Sequence, residues 1–283
     1  MFLKTSNRDL SLEQPLVMGI LNVTVDSFSD GGKYLMLDKA LMQVESMVVG
    51  GANIIDVGGE STRPGSKPVS LDEELQHTIP VIDAIKKRFD TPVSIDTTKS
   101  AVAKRAIDAG AEIVNDISGL RFDERVADVA AASGAGLVLM HSRGSFETMH
   151  SQPAVGDILS EVSGGFRRAI TAAKGRGVTH EQIALDVGLG FGKTLEQNFE
   201  LLAKLDKIIA EFTSFPMLVG ASRKSFIGKI LDDVPPQERL GGSIAAAVTA
   251  VMYGARIVRV HDVKETVAAI RIVSQIATYG STK

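Results

Sequence analysis

Eight short runs of β-branched and other apolar residues recur along the chain, about 34 residues apart on average. Their length and composition are typical of strands that are buried on both faces. Segments with helical spacing separate them, as in 37–49, 71–89, 99–109 and 264–277. The runs span 16–23, 53–57, 92–96, 112–117, 136–141, 183–187, 216–222 and 256–261. This alternation predicts a parallel sheet whose strands are connected by helices.

The junctions between helices and strands repeat as well. Gly51-Ala52, Gly110-Ala111, Gly134-Ala135 and Gly254-Ala255 each lie between a helical segment and a strand. A glycine in the left-handed conformation ends helices in this way, so the four copies indicate one repeated βα unit. No linker or charge block divides the 283 residues, which favours a single (β/α)8 (TIM) barrel domain over 1–283. A doubly wound open sheet is the alternative.

Composition excludes several classes of function. The chain has no Cys, which removes disulfides, thiolate metal sites and a catalytic thiol. Its formal net charge of −3 provides no global field that would attract nucleic acid or anionic lipid. Residues 1–15 carry charged side chains where a signal peptide needs an apolar stretch, and the apolar stretch 243–258 is interrupted by Gly254 and Arg256. We therefore expect a cytoplasmic protein without membrane or nucleic-acid partners.

Polar residues gather at the carboxyl ends of the predicted strands. In a (β/α)8 barrel these ends share one rim, where active sites are built. Any single polar residue there could simply cap a helix or face solvent, but polar groups at all eight ends indicate a site. They are Asn22, Asp56 and Glu60, Asp96, Asn115 and Asp116, His141, Asp186, Ser222 with Arg223 and Lys224, and Arg259 with His261.

The chemistry of these groups suggests two subsites. Asp96, Asn115 and Asp186 suit the edge of a neutral heterocycle that carries several N–H donors. The cationic groups suggest an anion site, and the last strands of such barrels often hold phosphate; these groups are Arg63, Lys224, Arg259 and His261. Asn22 could bind Mg²⁺ beside a diphosphate.

Two glycine-bearing loops add candidates. The segment 58–68 contains Thr62 and Arg63, which can hold an anion, although a plain surface turn is the alternative. The segment 186–194 matches neither a P-loop nor a dinucleotide fingerprint, and is interpreted as a flexible loop that presents Phe191 and Lys193 over the rim. His77, His150 and His180 lack ligand spacing, so we interpret them as solvated or packed side chains.

The motifs together resemble those of the bacterial dihydropteroate synthases, a family of pterin-binding enzymes. The resemblance spans almost the whole chain, and the combination of motifs is highly specific. The segments are MGILNVTVDSFSDGG (18–32), IIDVGGESTRPG (54–65), SIDT (94–97), VNDISG (114–119), LMH (139–141), DVGLGFGK (186–193), VGASRKSFIG (219–228) and RVHDV (259–263).

The resemblance implies a pterin-binding (β/α)8 barrel and a homodimer that uses Mg²⁺. The implied reaction condenses (7,8-dihydropterin-6-yl)methyl diphosphate with 4-aminobenzoate, giving 7,8-dihydropteroate and diphosphate. Asp96, Lys224, Arg259 and His261 would be catalytic, with Asn22 as the metal ligand. The implied pterin residues are Asp96, Asn115, Met140, Asp186 and Lys224; the diphosphate residues are Thr62, Arg63, Arg259 and His261; the 4-aminobenzoate residues are Phe28, Arg63, Pro64, Phe191 and Ser222.

The chain departs from the family pattern at three positions. Val25 replaces the usual Pro of the first loop, and Val187 and Leu189 stand in a segment that usually reads DPGFGFGK. We expect these departures to affect how well the two loops are ordered and the affinity for 4-aminobenzoate and sulfonamides.

Three other functions compete with this one. A pterin-binding methyltransferase would share the carboxylate pocket but has less use for the cations of STRPG, SRKS and RVH. An aldolase or isomerase with a phosphate site would place a Schiff-base lysine inside a strand, whereas Lys224 follows Arg223 at a strand end. A pterin binder without turnover is the third.

Overall fold

A computed structural model describes residues 1–23, 33–62 and 65–280. Its strands are β1 (Phe2–Lys4), β2 (Asp9–Ser11), β3 (Leu16–Asn22), β4 (Ile54–Gly58), β5 (Val93–Asp96), β6 (Ile113–Asp116), β7 (Gly136–Met140), β8 (Ile183–Asp186), β9 (Met217–Val219) and β10 (Ile257–Val260). Its α-helices are α1 (Lys33–Val49), α2 (Leu71–Arg88), α3 (Ser100–Asp108), α4 (Arg125–Ser133), α5 (Ile158–Gly175), α6 (Leu195–Ala203), α7 (Leu205–Glu211), α8 (Ser225–Ile230), α9 (Leu240–Met252) and α10 (Val263–Gly280).

The strands β3 to β10 close into a parallel barrel, in the order β10-β3-β4-β5-β6-β7-β8-β9. The predicted TIM barrel is therefore confirmed, and the open-sheet alternative is wrong. Each predicted run contains one barrel strand, because strands covered on both faces need an almost continuous apolar sequence. Gly51, Gly110, Gly134 and Gly254 have φ of +96°, +104°, +70° and +103°, as the helix-end pattern predicted. That 1–283 forms one domain remains a prediction.

A short antiparallel hairpin, β1 with β2, precedes the barrel and was not predicted. Its Leu3 is fully buried, and Leu12, just after the hairpin, is 1% exposed. Both pack against the first inward-facing side chains of the barrel strands, including Met18, Ile54 and Ile113. The hairpin therefore covers the amino-terminal end of the barrel, opposite the strand ends that carry the polar candidates.

Alternation along the strands directs those polar candidates into the barrel. Ile55 and Val57 point outward into the main core, whereas Ile54 belongs to the inner cluster. Since strand side chains alternate, the residue two positions after each inner apolar residue also points inward. These positions are Ile20, Asp56, Asn115, Met140, Asp186, Gly220 and Arg259. The polar site thus begins inside the barrel, one layer below its rim.

No helix within the described ranges is long and apolar enough to cross a membrane.

Candidate active site

Strand register aligns the candidates from four neighbouring strands. Asn22 pairs with Gly58, Gly58 with Asp96, and Asp96 with Asn115. A Cβ atom built on Gly58 would lie 3.7 Å from Asn22 Oδ1 and 3.8 Å from Asp96 Oδ2. The bare glycine therefore leaves a small gap between the Asn22 amide oxygen and the Asp96 carboxylate.

Arg259, on β10, bridges two carboxylates that lie on β4 and β5. Its Nε donates to Asp56 Oδ2 and its Nη2 donates to Asp96 Oδ2, each at 2.6 Å. Asn115 Nδ2 also donates to Asp56 Oδ2, at 3.2 Å. Arg259, predicted from the sequence for an anion site, thus contacts two carboxylates, because strand closure sets β10 two strands from β4. Its role in binding an anion remains a prediction.

The electrostatics of this cluster shift several pKa values. Burial, reinforced by the negative charges of Asp56, Glu74 and Asp116, raises the pKa of Asp96 to about 7 against the opposing effect of Arg259. Burial disfavours the Arg259 cation, but Asp56 and Asp96 outweigh it and raise the pKa of Arg259. Arg259 is therefore a permanent cation, whereas Asp96 titrates near neutral pH.

A second cluster contains Asp186 and Lys224. Asp186 Oδ1 accepts a hydrogen bond from Gly188 N–H at 2.7 Å. Burial raises the pKa of Asp186, although Lys224 opposes the shift. Burial lowers the pKa of Lys224 to about 8, despite the attraction of Asp186 and Asp96. The Lys224 ammonium donates to the Leu189 carbonyl and lies 4.3 Å from the centre of the Phe191 ring.

The apolar wall beside these charges is built from three loops and a strand end. Phe191 and Met140 are both buried and pack with Ile117 and Met149. Met140 pairs in register with Asp186, so the thioether borders the Asp186 side of the barrel. The wall and the flanking acceptors form a site with one apolar face and several polar edges, as small-molecule sites usually have.

Ser222 and His261 form a pair at the ends of β9 and β10. Ser222 Oγ lies 3.0 Å from His261 Nδ1 and accepts a hydrogen bond from the His261 N–H at 3.1 Å. Thr62 lies farther out, where its carbonyl is 2.7 Å from His150 Nε2. The structure thus joins Ser222 to His261, but Thr62 is fixed by a histidine that the sequence analysis had set aside.

Lys193 does not extend over the rim, so that prediction was wrong. Its ammonium turns inward and donates to the carbonyls of His141, Gly188 and Phe191 at 2.8–3.1 Å. It also lies 3.0 Å from His141 Nδ1, which must therefore be the acceptor nitrogen of a neutral ring. Burial and Lys193 lower the pKa of His141 to about 2, consistent with that state.

The remaining candidates divide into structural residues and residues outside the description. Asp116 accepts hydrogen bonds from the N–H groups of Ser118 and Leu120, so it shapes a turn instead of facing the site. Phe28, Arg63, Pro64 and Val25 lie outside the described residues. The side chains of Val187 and Leu189 are fully buried in the main core. These two departures from the family pattern therefore lie in the core, behind the loop that follows β8.

The donor chemistry near Asn22 is compatible with a magnesium ion. Asn22 Oδ1 and Asp96 Oδ2 border the same gap at Gly58, and amide and carboxylate oxygens are the protein ligands that Mg²⁺ takes. No cluster of three or more His, Cys, Asp or Glu that could hold a metal occurs within the described residues. A metal shared with substrate phosphates needs only one or two protein oxygens.

The fold and this inward-facing set of carboxylates, cations and an apolar wall define a pterin-binding enzyme. The family model described as "Pterin binding enzyme" matches residues 18–261, and the chain belongs to that family. It is 52% identical over 248 residues to the dihydropteroate synthase of Synechocystis sp., covering 88% of this chain and 85% of that protein.

Solved structures agree with this assignment. The chain is similar to the Yersinia pestis dihydropteroate synthase in complex with a sulfonamide drug, with a TM-score of 0.91 and 45% identity, covering 98% and 100% of the two chains. It is also similar to the Xanthomonas albilineans dihydropteroate synthase with 4-aminobenzoic acid, with a TM-score of 0.90 and 37% identity, covering 98% and 99%.

Proposed function

We propose that this chain is a dihydropteroate synthase. It condenses (7,8-dihydropterin-6-yl)methyl diphosphate with 4-aminobenzoate, and it releases 7,8-dihydropteroate and diphosphate in folate biosynthesis. The observation that carries the proposal is the buried cluster in which Arg259 bridges Asp56 and Asp96, with Asn115 beside them. The family membership and the dihydropteroate synthase relatives support the same reaction.

The pterin ring binds among the inward-facing acceptors. Asp96, Asn115 and Asp186 receive the N–H donors of the ring, and Lys224 donates to its carbonyl oxygen. Asp56 Oδ1 is buried without a hydrogen-bond partner in the described structure, so the floor of this pocket still holds an acceptor to be satisfied. Met140 supplies the apolar contact to the ring face.

The reaction breaks the bond between the pterin methylene carbon and the diphosphate oxygen. The diphosphate leaves with the electron pair, and positive charge develops on the methylene and the ring. Ionised Asp96 stabilises that charge from a fixed, partly buried position, where Arg259 orients its carboxylate. The amine of 4-aminobenzoate then attacks the methylene carbon, forms the C–N bond and releases one proton.

The diphosphate is held by polar groups at the end of β10 and in the segment after β4. These groups are His261, Arg259, Thr62 and Arg63. Asn22 would hold a Mg²⁺ ion, which would supply positive charge to the leaving diphosphate. The 4-aminobenzoate lies against Phe191 and Ser222, and Phe28, Arg63 and Pro64 complete its surroundings.

The deciding experiment measures diphosphate release from the pterin substrate with and without 4-aminobenzoate and Mg²⁺. We expect release that requires both. Release without the amine indicates a hydrolase, whereas tight pterin binding without release indicates a pterin binder. Methyl transfer from a methylated folate to a corrinoid would instead identify the related methyltransferase.

The chain also acts as a homodimer under this proposal. Met252, Ile272 and Ile276 on α9 and α10 are 69%, 65% and 63% exposed, and the two isoleucines share one helix face. Light scattering should give twice the chain mass, and Ile272→Lys with Ile276→Lys should give monomers. The cytoplasmic location and the absence of nucleic-acid partners remain predictions, which cell fractionation and filter binding test.

A further inference from the structure

The loop 188–192 directs all of its carbonyl oxygens at side-chain nitrogens. Lys193 donates to Gly188 and Phe191, Lys224 to Leu189, and Arg143 to Gly192. The remaining carbonyl, of Gly190, lies 3.1 Å from His150 Nδ1. Lysine and arginine side chains can only donate, so four of these five carbonyls are held by permanent donors.

His150 also contacts a second loop. Its Nε2 lies 2.7 Å from the Thr62 carbonyl, while its ring lies 5.7 Å from the Phe191 ring, centre to centre. One imidazole thus connects the loop after β4 to the loop after β8. Thr62 immediately precedes Arg63, and Gly190 immediately precedes Phe191. Both segments carry residues that the proposed function assigns to 4-aminobenzoate.

The two carbonyl contacts fix the number of protons that the ring must carry. A carbonyl oxygen accepts and cannot donate, so each ring nitrogen needs its own hydrogen to bond its partner. A neutral imidazole has only one N–H, and its other lone pair would face a carbonyl lone pair. Only the imidazolium form satisfies both contacts.

We propose that His150 is a positioning residue which, as an imidazolium, ties the Thr62 loop to the Gly190 loop and so orders the 4-aminobenzoate side of the site. The proposal rests on the proposed function for the identity of that substrate.

The charged groups around His150 include both signs. They are Glu60 on the Thr62 segment, Lys193 and Lys224 behind the Gly190 loop, and Arg143 and Glu147 on its own segment. Glu60 is bonded to Lys99, and Glu147 is bonded to Ser145. Among the described residues, no carboxylate is paired with the His150 ring. The two backbone carbonyls are therefore the acceptors that the ring protons serve.

The test compares wild type with His150→Phe, which keeps a ring beside Phe191 and removes both hydrogen bonds. At pH 6 we expect the variant to raise the KM for 4-aminobenzoate about fivefold, as loss of charge-assisted hydrogen bonds at an exposed site implies. The KM for the pterin substrate and kcat should change less than about twofold.

His180→Phe provides the matched control. His180 Nε2 also bonds a carbonyl, that of Ser214 at 3.0 Å, and its ring lies 4.3 Å from the Phe215 ring. It precedes β8 at the amino-terminal end of the barrel, so this substitution should leave both KM values unchanged. An unchanged KM for 4-aminobenzoate in His150→Phe, or an equal rise in the pterin KM, overturns the proposal.

A second measurement is independent of turnover. Nitrogen NMR of the ring should show both His150 nitrogens protonated at pH 6, and one unprotonated nitrogen at pH 6 overturns the proposal. Because this measurement uses the wild-type protein, it tests the proposal even if the His150→Phe variant fails to fold. If wild type shows no amine-dependent diphosphate release, the proposed function fails, and the NMR result still decides the role of the ring.

Discussion

The Arg259 guanidinium donates to the Asp96 carboxylate at 2.6 Å, joining residues that are 163 positions apart in the chain. The same guanidinium donates to Asp56. Asp96 is therefore both oriented and partly neutralised by a cation that also borders the proposed diphosphate position. Loss of Arg259 should raise the pKa of Asp96 further, so the two residues are expected to act as a unit.

Asp96→Asn tests the stabilisation of positive charge on the pterin. The amide keeps the shape and a hydrogen-bonding oxygen but removes the negative charge, so kcat should fall about 10²–10³-fold. The KM for the pterin substrate should rise less than kcat falls, because the amide oxygen still accepts. Steady-state kinetics with both substrates provide the measurement. A loss confined to KM, with kcat unchanged, would show that Asp96 only binds.

Arg259→Gln tests the coupling between the two carboxylates. It leaves buried Asp56 and Asp96 without their shared cation, so the free energy of unfolding should fall by about 3 kcal/mol. Adding Asp56→Asn removes one of the two facing charges and should restore part of that loss. Urea denaturation of the two single variants and the double variant measures the interaction. Strict additivity of the single effects would contradict the coupling.

The pH dependence of kcat/KM for the pterin substrate should be bell-shaped. Asp96 acts as a carboxylate and has a pKa of about 7, so activity should rise as pH increases through this value. Lys224 acts as an ammonium and has a pKa of about 8, so activity should fall as pH increases further. Lys224→Arg keeps the charge at high pH and should remove the basic limb. An unchanged basic limb in this variant would assign it to another group.

The barrel could be predicted from the sequence because its signals are local. A strand buried on both faces needs an apolar run, and a left-handed glycine ends the preceding helix. The hairpin of β1 and β2 escaped prediction, since its strands are three residues each and carry charged side chains such as Lys4 and Asp9. Its apolar contribution comes from isolated leucines, which show no periodicity.

The types of residue in the site could be predicted from the sequence, but their hydrogen-bond partners could not. The sequence pattern predicted Asp96, Asn115 and Asp186 at the carboxyl ends of their strands, and the structure has them there. The pairing of Arg259 with Asp56, however, joins residues 203 positions apart and depends on closure of the barrel. Lys193 was misplaced because glycines with positive φ at 188, 190 and 192 turn the loop carbonyls inward, and these attract its ammonium. His150 was set aside for a related reason, since its partners are 40 and 88 residues away.

Gly58 and Gly59 are adjacent, but Gly58 borders the site whereas Gly59 packs against α2. A Cβ atom at Gly58 would meet Asp96 Cβ at 3.6 Å and Asn22 Oδ1 at 3.7 Å, which are ordinary contacts. A Cβ atom at Gly59 would lie 2.7 Å from Thr78 Cγ2 and 3.1 Å from Glu74 Cγ, so α2 would have to move. We therefore expect Gly58→Ala to fold with nearly the wild-type melting temperature, and Gly59→Ala to lose about 1–3 kcal/mol of stability.

Gly58→Ala should affect activity more than Gly59→Ala, the opposite of the order expected for stability. The added methyl of Gly58→Ala fills the gap between Asn22 and Asp96, where we propose that Mg²⁺ and the diphosphate lie. The Mg²⁺ concentration for half-maximal activity should therefore rise about tenfold in Gly58→Ala and stay unchanged in the folded fraction of Gly59→Ala. Magnesium titrations of diphosphate release, combined with thermal unfolding, measure both effects. A wild-type Mg²⁺ response in Gly58→Ala would place the metal elsewhere.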